Sequence, residues 1–398
     1  MGCGVESARF DYMRITTLMH STSPYRQLLT LVICSVQFWV LAGKSYSQQP
    51  TVHAVIVGDV SPAAGWGSLA ANISADTAGM FAILVNSLPE SQFRYYPLML
   101  QEDEWATPSN VLSYLAEVAV EPTDTLLFYF SGHGAADDKG HYLQLAGGKL
   151  YRADIRQAMS AKSARLNVLL SDCCNLRADG FSYFAPQMIE SPPQRAAPIL
   201  DSLLIKSEGW VDLNACSPGE GAFFGADDPE TGGMPGSLFT SALLDLLQSQ
   251  SQTALNWNQV VDQVRVEVYL AFRQTYPKGA VPEEGFGIQA EQNVYAYQYP
   301  GMPPRSGPRT GLTVRDDAEP GVVIVRVESA SPASQSFHVR KQAFVSLQSG
   351  QRIMIANNQA IRSVEDLVTE VARSPQLMRL VIRSPLGGES EFLMSLRY

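Results

Sequence analysis

Two places in the chain combine reactive residue types with a sequence able to hold them. In Leu126-Leu127-Phe128-Tyr129-Phe130-Ser131-Gly132-His133-Gly134 an apolar run stops at a histidine held between glycines. About forty residues later Asn167-Val168-Leu169-Leu170-Ser171-Asp172 runs into Cys173 and Cys174. A cysteine attacks a carbonyl as the thiolate, so it needs a base nearby and N–H donors for the developing oxyanion. His133 is the candidate base and acid. Gly134 offers an N–H that can approach closely because it has no Cβ, and the N–H of Cys174 is the natural second donor.

Side chains alternate along a strand. Asp172 and Cys174 therefore share one side, and Cys173 turns to the other and packs inward. Cys174 is the candidate nucleophile, with Asp172 beside it. Each residue also has a plainer reading. Gly-His-Gly at a strand end makes a turn, adjacent cysteines serve as core residues, and Asp172 can cap a following helix. His133 and a cysteine taken together favour catalysis.

The elements that must position these residues read as an α/β fold. Five consecutive apolar residues, 126–130, suit a strand buried on both faces of a parallel sheet. Open sheets of this kind carry their reactive groups at the C-terminal strand ends. Residues 51–60 read as a first strand, 76–88 as a helix and 93–100 as a strand. Thr107-Pro108 opens a helix with a cap and a proline in its first turn. Residues 135–140 read as a polar loop, 141–150 as a hairpin around Gly147-Gly148, and 152–161 as a helix leading to the cysteine strand. That order implies a parallel pair with a right-handed crossover. Residues 177–207, with four prolines, read as a long exposed loop. A strand over 209–216, helices from Ser237 and over 257–275, and a strand over 293–299 follow. His141 reads as a surface histidine of the hairpin, His53 as a strand residue and Cys216 as a core residue.

The chain has 398 residues, 45% hydrophobic and 17% charged, with a formal charge of −10. An acidic surface disfavours nucleic acid as a partner and suits cationic substrates. At the N-terminus, Arg14 and Arg26 precede an apolar run over 28–43, and Ser45-Tyr46-Ser47 offers small residues for cleavage. Residues 1–47 are therefore expected to be an export signal, giving a periplasmic or extracellular protein. If uncleaved, the segment would be a membrane anchor. Past it only Cys173, Cys174 and Cys216 remain, an odd number and no disulfide framework. There is no G-x-S-x-G, H-E-x-x-H, phosphate loop or zinc-ligand spacing. Asp137-Asp138 and Asp227-Asp228 read as solvated loop acids, and no cofactor is expected.

Ser131-Gly132-His133-Gly134 after one strand and Asp172-Cys173-Cys174 at the end of the next resemble the caspase-like cysteine peptidases of clan CD, with metacaspases and bacterial caspase-like proteins the nearest in pattern. Cys173 and Asn175-Leu176-Arg177 stand where that family writes Ser and His-Ser-Gly. The resemblance covers 51–299 and implies a mostly parallel sheet with helices on both faces. It implies Cys174 as nucleophile, His133 as base and acid, Gly134 and Cys174 as oxyanion donors, and Asp172 in the S1 pocket favouring Arg or Lys at P1. It leaves a calcium dependence open, and makes the loop carrying Arg177 and Arg195 a site of autoprocessing.

Residues 300–308 (PGMPPRSGP) form a linker by composition. Residues 309–398 are β-rich with one helix, over 364–372. Their motifs resemble a PDZ domain, which implies that Gly311-Leu312-Thr313-Val314 receives a peptide C-terminus. Two readings follow: a cysteine endopeptidase with a recruiting domain, or a caspase-fold pseudoenzyme that binds peptides or proteins.

Overall fold

A computed structural model describes residues 49–59, 70–100, 107–177, 197–225, 236–249, 255–282, 286–298 and 309–397. Residues 1–47, expected as an export signal, and Arg195, Asp227-Asp228 and residues 300–308 lie outside the described residues. So does most of the long loop.

The apolar runs become the centre of a six-stranded sheet. Its strands are β1 (Val52–Asp59), β2 (Phe93–Leu100), β3 (Thr125–Ser131), β7 (Leu166–Asp172), β8 (Gly209–Asn214) and β9 (Tyr295–Gln298), in the order β2-β1-β3-β7-β8-β9. All neighbours are parallel except β8 and β9. Alternation sorts β3 between two cores. Leu127 and Tyr129 face helices α1 (Ala70–Ser87), α4 (Leu238–Gln248) and α5 (Trp257–Thr275). Leu126, Phe128 and Phe130 face α2 (Pro108–Glu117) and α3 (Arg152–Ser160). Each wholly buried side chain of this kind contributes roughly 1.5–3 kcal/mol, which is why β3 carries no polar residue between Thr125 and Ser131. Local signals set the helix starts. The Thr107 side chain accepts from Asn110 N, and Asn256 with Gln259 forms a reciprocal capping box on α5.

Three readings are corrected. The segment after His133 is not a polar loop but a strand, β4 (Gly134–Asp137), forming a small antiparallel sheet with β5 (Gly140–Leu145) and β6 (Gly148–Tyr151). The far end of the proline-rich stretch is not exposed: Ala197, Ile199, Leu200, Leu203 and Leu204 are core residues around a short helical turn, Asp201–Ile205. His141 is not a surface histidine, being only 8% exposed. Helix α1 also begins earlier than its apolar spacing suggests.

The C-terminal residues form a separate, wholly antiparallel β half-barrel. It comprises β10 (Leu312–Arg315), β11 (Val322–Val327), β12 (Ser336–His338), β13 (Ala343–Val345), β14 (Arg352–Ala356), β15 (Gln359–Ala360), β16 (Leu377–Arg383) and β17 (Glu389–Ser395), with one helix, α6 (Val364–Arg373). Residues 49–398 pack as one compact unit. The half-barrel lies against α5, where Val266 and Tyr269 meet Phe337, Leu377 and Leu393.

Candidate active site

Strands β3 and β7 pair in parallel with Ser131 opposite Asp172, so both release their chains at one edge of the sheet. Gly132 N donates to Asp172 O at 3.1 Å and carries the pairing past the strand end. The flanking glycines are required by close approach. A Cβ on Gly132 would sit 2.7 Å from the Phe130 ring. One on Gly134 would sit 2.6 Å from Cys173 Sγ and 2.9 Å from the Cys174 carbonyl oxygen.

His133 and Cys174 line one cleft together with Ile73, Asp172 and Phe223. His133 is buried and Cys174 half-buried. Ala222 N donates to Cys174 Sγ at 3.3 Å. Cys173 belongs to the core cluster of the other face, and its sulfur lies 3.5 Å from His141 Nε2 and 3.4 Å from Asn214 Oδ1. Burial pushes its thiol far above the ordinary range. Cys216 is likewise buried, and among the described residues all three thiols are free.

Asp172 lines the cleft, Asp76 bonds to its lining residues Ser131 and Ser237, and among the described residues both acids are held by neutral donors. Asp172 accepts from Thr240 N at 3.1 Å, from Thr240 Oγ1 at 2.6 Å and from Ser237 Oγ, all at the start of α4. Burial nevertheless pushes it up to about 6. Asp76 of α1 accepts from Ser131 Oγ at 2.9 Å and from Ser237 N at 3.0 Å. Burial, and then the charge of Asp172, push it well above the carboxylate range.

Behind the cysteines lies a second polar cluster. His141 Nε2 is 3.1 Å from the Cys174 carbonyl oxygen, so it carries the proton donated to that carbonyl. Burial, then the Arg152 charge, lower this histidine to about 3, so it is neutral at physiological pH. Its ring stacks on Tyr297 at 6.2 Å. Arg152 and Arg156 both pair with the buried Asp212. The residues after Cys174 are folded into this frame. Asn175 Nδ2 donates to Tyr297 Oη at 3.1 Å, and Ala136 N donates to Leu176 O at 2.8 Å.

The caspase domain family model matches residues 72–298. The chain belongs to the caspase family. Similar solved structures include caspase-1 from Spodoptera frugiperda, 12% identical, covering 63% of this chain and 86% of that one at a TM-score of 0.42. The structure of pro-Sf-caspase-1 is 11% identical, covering 63% and 91% at a TM-score of 0.40. No curated protein sequence matches.

Membership makes a cysteine peptidase acting on protein or peptide substrates the coarse reading of this caspase domain. Three residues around the site show little of their role in the sequence. Asp76 reads there as the start of a helix, although an acid among Ile73, Thr77 and Met80 is a signal. Ala222 acts through its backbone and leaves no mark in the sequence. His141 was hidden by its place in a hairpin whose third strand was not read.

Of the loop acids named from the sequence, Asp137 and Asp138 are among the described residues, and both are paired. Asp137 accepts from Lys149 Nζ at 2.9 Å and Tyr151 Oη at 3.0 Å, and Asp138 pairs with Arg177. Among the described residues no cluster of three His, Cys, Asp or Glu side chains could hold a metal. No helix of the described residues is long and apolar enough to cross a membrane. In the half-barrel, Gly311 has a left-handed φ of +71°, and a Cβ there would overlap Ser331 at 2.1 Å. Leu312 and Val314 pack inward from edge strand β10, while Thr313 is exposed.

Proposed function

We propose that this chain is a metacaspase-like cysteine endopeptidase that cleaves after Arg or Lys. The observation that carries the reading is one cleft lined by a histidine, a half-buried cysteine and a buried carboxylate. His133 takes the proton of Cys174, and the thiolate attacks the scissile carbonyl. The amides of Gly134 and Cys174 receive the oxyanion. His133 then protonates the leaving amine and activates the water that hydrolyses the thioester. Asp172, with Asp76 beside it, receives the P1 guanidinium or ammonium, whose charge would meet a carboxylate that among the described residues has only neutral donors.

The half-barrel, read as PDZ-like, recruits a substrate or partner whose C-terminus adds to β10 at Gly311-Leu312-Thr313-Val314. The protein is exported, and associates with a membrane only if residues 1–47 are retained. Calcium enters as a variable of the assay.

The test uses purified protein on Arg-, Lys- and Asp-terminated fluorogenic peptides, with and without calcium, beside Cys174→Ala and Cys173→Ala. Turnover of Arg and Lys peptides is expected, lost by about a thousandfold or more in Cys174→Ala and kept in Cys173→Ala. Turnover that survives Cys174→Ala removes the dyad. Faster cleavage after Asp removes the role of Asp172. No turnover on any peptide leaves the pseudoenzyme, which the replacement of His-Ser-Gly by Asn175-Leu176-Arg177 would then explain.

A further inference from the structure

Among the described residues, strand β9 ends the central sheet and has a strand neighbour on one side only, β8. An open strand edge displays unpaired N–H and C=O groups and invites another strand. Here a single side chain from the half-barrel supplies what a strand would. Gln376, 1% exposed, accepts from Ala296 N at 2.6 Å and donates to Ala296 O at 2.8 Å. Arg265 of α5, wholly buried, fixes that amide. It donates to Gln376 Oε1, to Val294 O at 3.0 Å, to Ser395 Oγ at 2.6 Å and to Leu396 O at 2.9 Å.

What β9 and the residues before it hold is the frame of the nucleophile. On one flank, Tyr297 receives the Asn175 side chain and stacks on the histidine bonded to the Cys174 carbonyl. On the other, Asn293 Nδ2 donates to Glu220 at 2.7 Å, and Gln292 and Gln289 accept from Phe223 N at 3.0 Å and Gly221 N at 2.8 Å. Those bonds bracket Ala222, whose N–H meets Cys174 Sγ. One loop around the sulfur is therefore tied to β9 and the other to the residues just before it, and β9 is tied to the half-barrel.

We infer that the half-barrel is a working part of the catalytic centre, with Gln376 a positioning residue that acts on Cys174 through β9. This goes beyond a recruiting role and rests on the reading of Cys174 as nucleophile. A misplacement of about 1 Å in such a frame costs catalysis up to a hundredfold, whereas substrate affinity resides in the cleft.

The test compares full-length Gln376→Leu, Tyr297→Phe and Leu393→Ala. The last loosens the apolar seam between half-barrel and α5 without touching β9. Two readouts are taken: kcat and KM on an Arg peptide, and the rate of Cys174 alkylation by iodoacetamide, which needs no turnover. In Gln376→Leu and Tyr297→Phe, kcat is expected to fall about tenfold with KM nearly unchanged, and the alkylation rate to shift with it. In Leu393→Ala both stay near wild type although the melting temperature drops. Equal kcat and alkylation in all three variants, or changes that follow melting temperature alone, overturn the inference. If Gln376→Leu does not fold, Tyr297→Phe decides by the same readouts. If wild type cleaves nothing but alkylation still separates Gln376→Leu from Leu393→Ala, the peptidase reading fails and the positioning role stands.

Discussion

The two sides of the sheet at Cys173 and Cys174 bury acids in opposite ways. Behind the cysteines, Asp212 is wholly buried and answered by two arginines, one of which also lies over the Tyr297 ring at 4.5 Å. In front, Asp76 and Asp172 are equally buried and among the described residues have no ion pair, only hydroxyl and amide donors. A buried carboxylate without a cation costs folding free energy that a paired one does not. The back is thus built for structure. The front holds its charge where an incoming cation would find it.

The largest effect that could break this contrast is on the back. Asp212→Ala strands Arg152 and Arg156 and is expected to cost about 3–5 kcal/mol in urea unfolding. Asp212→Leu combined with Arg152→Met should recover much of that, since removing charge and partner together leaves little unpaired. A loss below about 1 kcal/mol for Asp212→Ala would mean that the pair is not holding the strand ends together.

On the front the same kind of change should act on substrate rather than on fold. Asp172→Asn keeps the size and the acceptor for Thr240 but removes the charge. Its kcat/KM on Arg peptides is expected to fall about 10–100-fold, the size of effect that follows when a ligand's cation no longer meets a buried anion. Turnover of an uncharged-P1 peptide should hardly move. Equal losses on both peptides would show that Asp172 shapes the nucleophile turn instead of reading the P1 side chain.

The contrast also explains what could be read from the sequence. The sheet was legible because its strands are apolar on both faces: 126–130 and 167–170 have few alternatives, and helix 257–275 emerges with the bounds its periodicity gave. Alternation points Cys173 away from Asp172, and Cys173 is buried in the core of the other face, but β7 ends at Asp172 and Cys174 lies just past it. The cleft's second acid was not legible, because Asp76 meets Asp172 only once α1 and α4 pack against the same face. Nor was the clamp on β9. Gln376 lies 80 residues beyond Ala296, and a polar side chain bonding to a strand edge has no periodic signature.

The smallest effect reads the front face through pH. Burial raises Asp172 to about 6 and Glu220, held by Asn293 beside the nucleophile loop, to about 7. A carboxyl whose folded value is raised binds its proton more tightly when folded. Its contribution is therefore present in full below the unfolded value near 4 and is lost as pH rises through 6 to 7. Wild-type stability should decline over that interval by a margin on the order of 1–3 kcal/mol. Asp172→Asn should flatten the decline, so that its melting temperature gains on wild type between pH 4 and pH 8. Melting curves of the two proteins across that range test this: parallel profiles for wild type and Asp172→Asn would mean that the front carboxylate is not carrying uncompensated charge, and the basic P1 preference would lose its electrostatic basis.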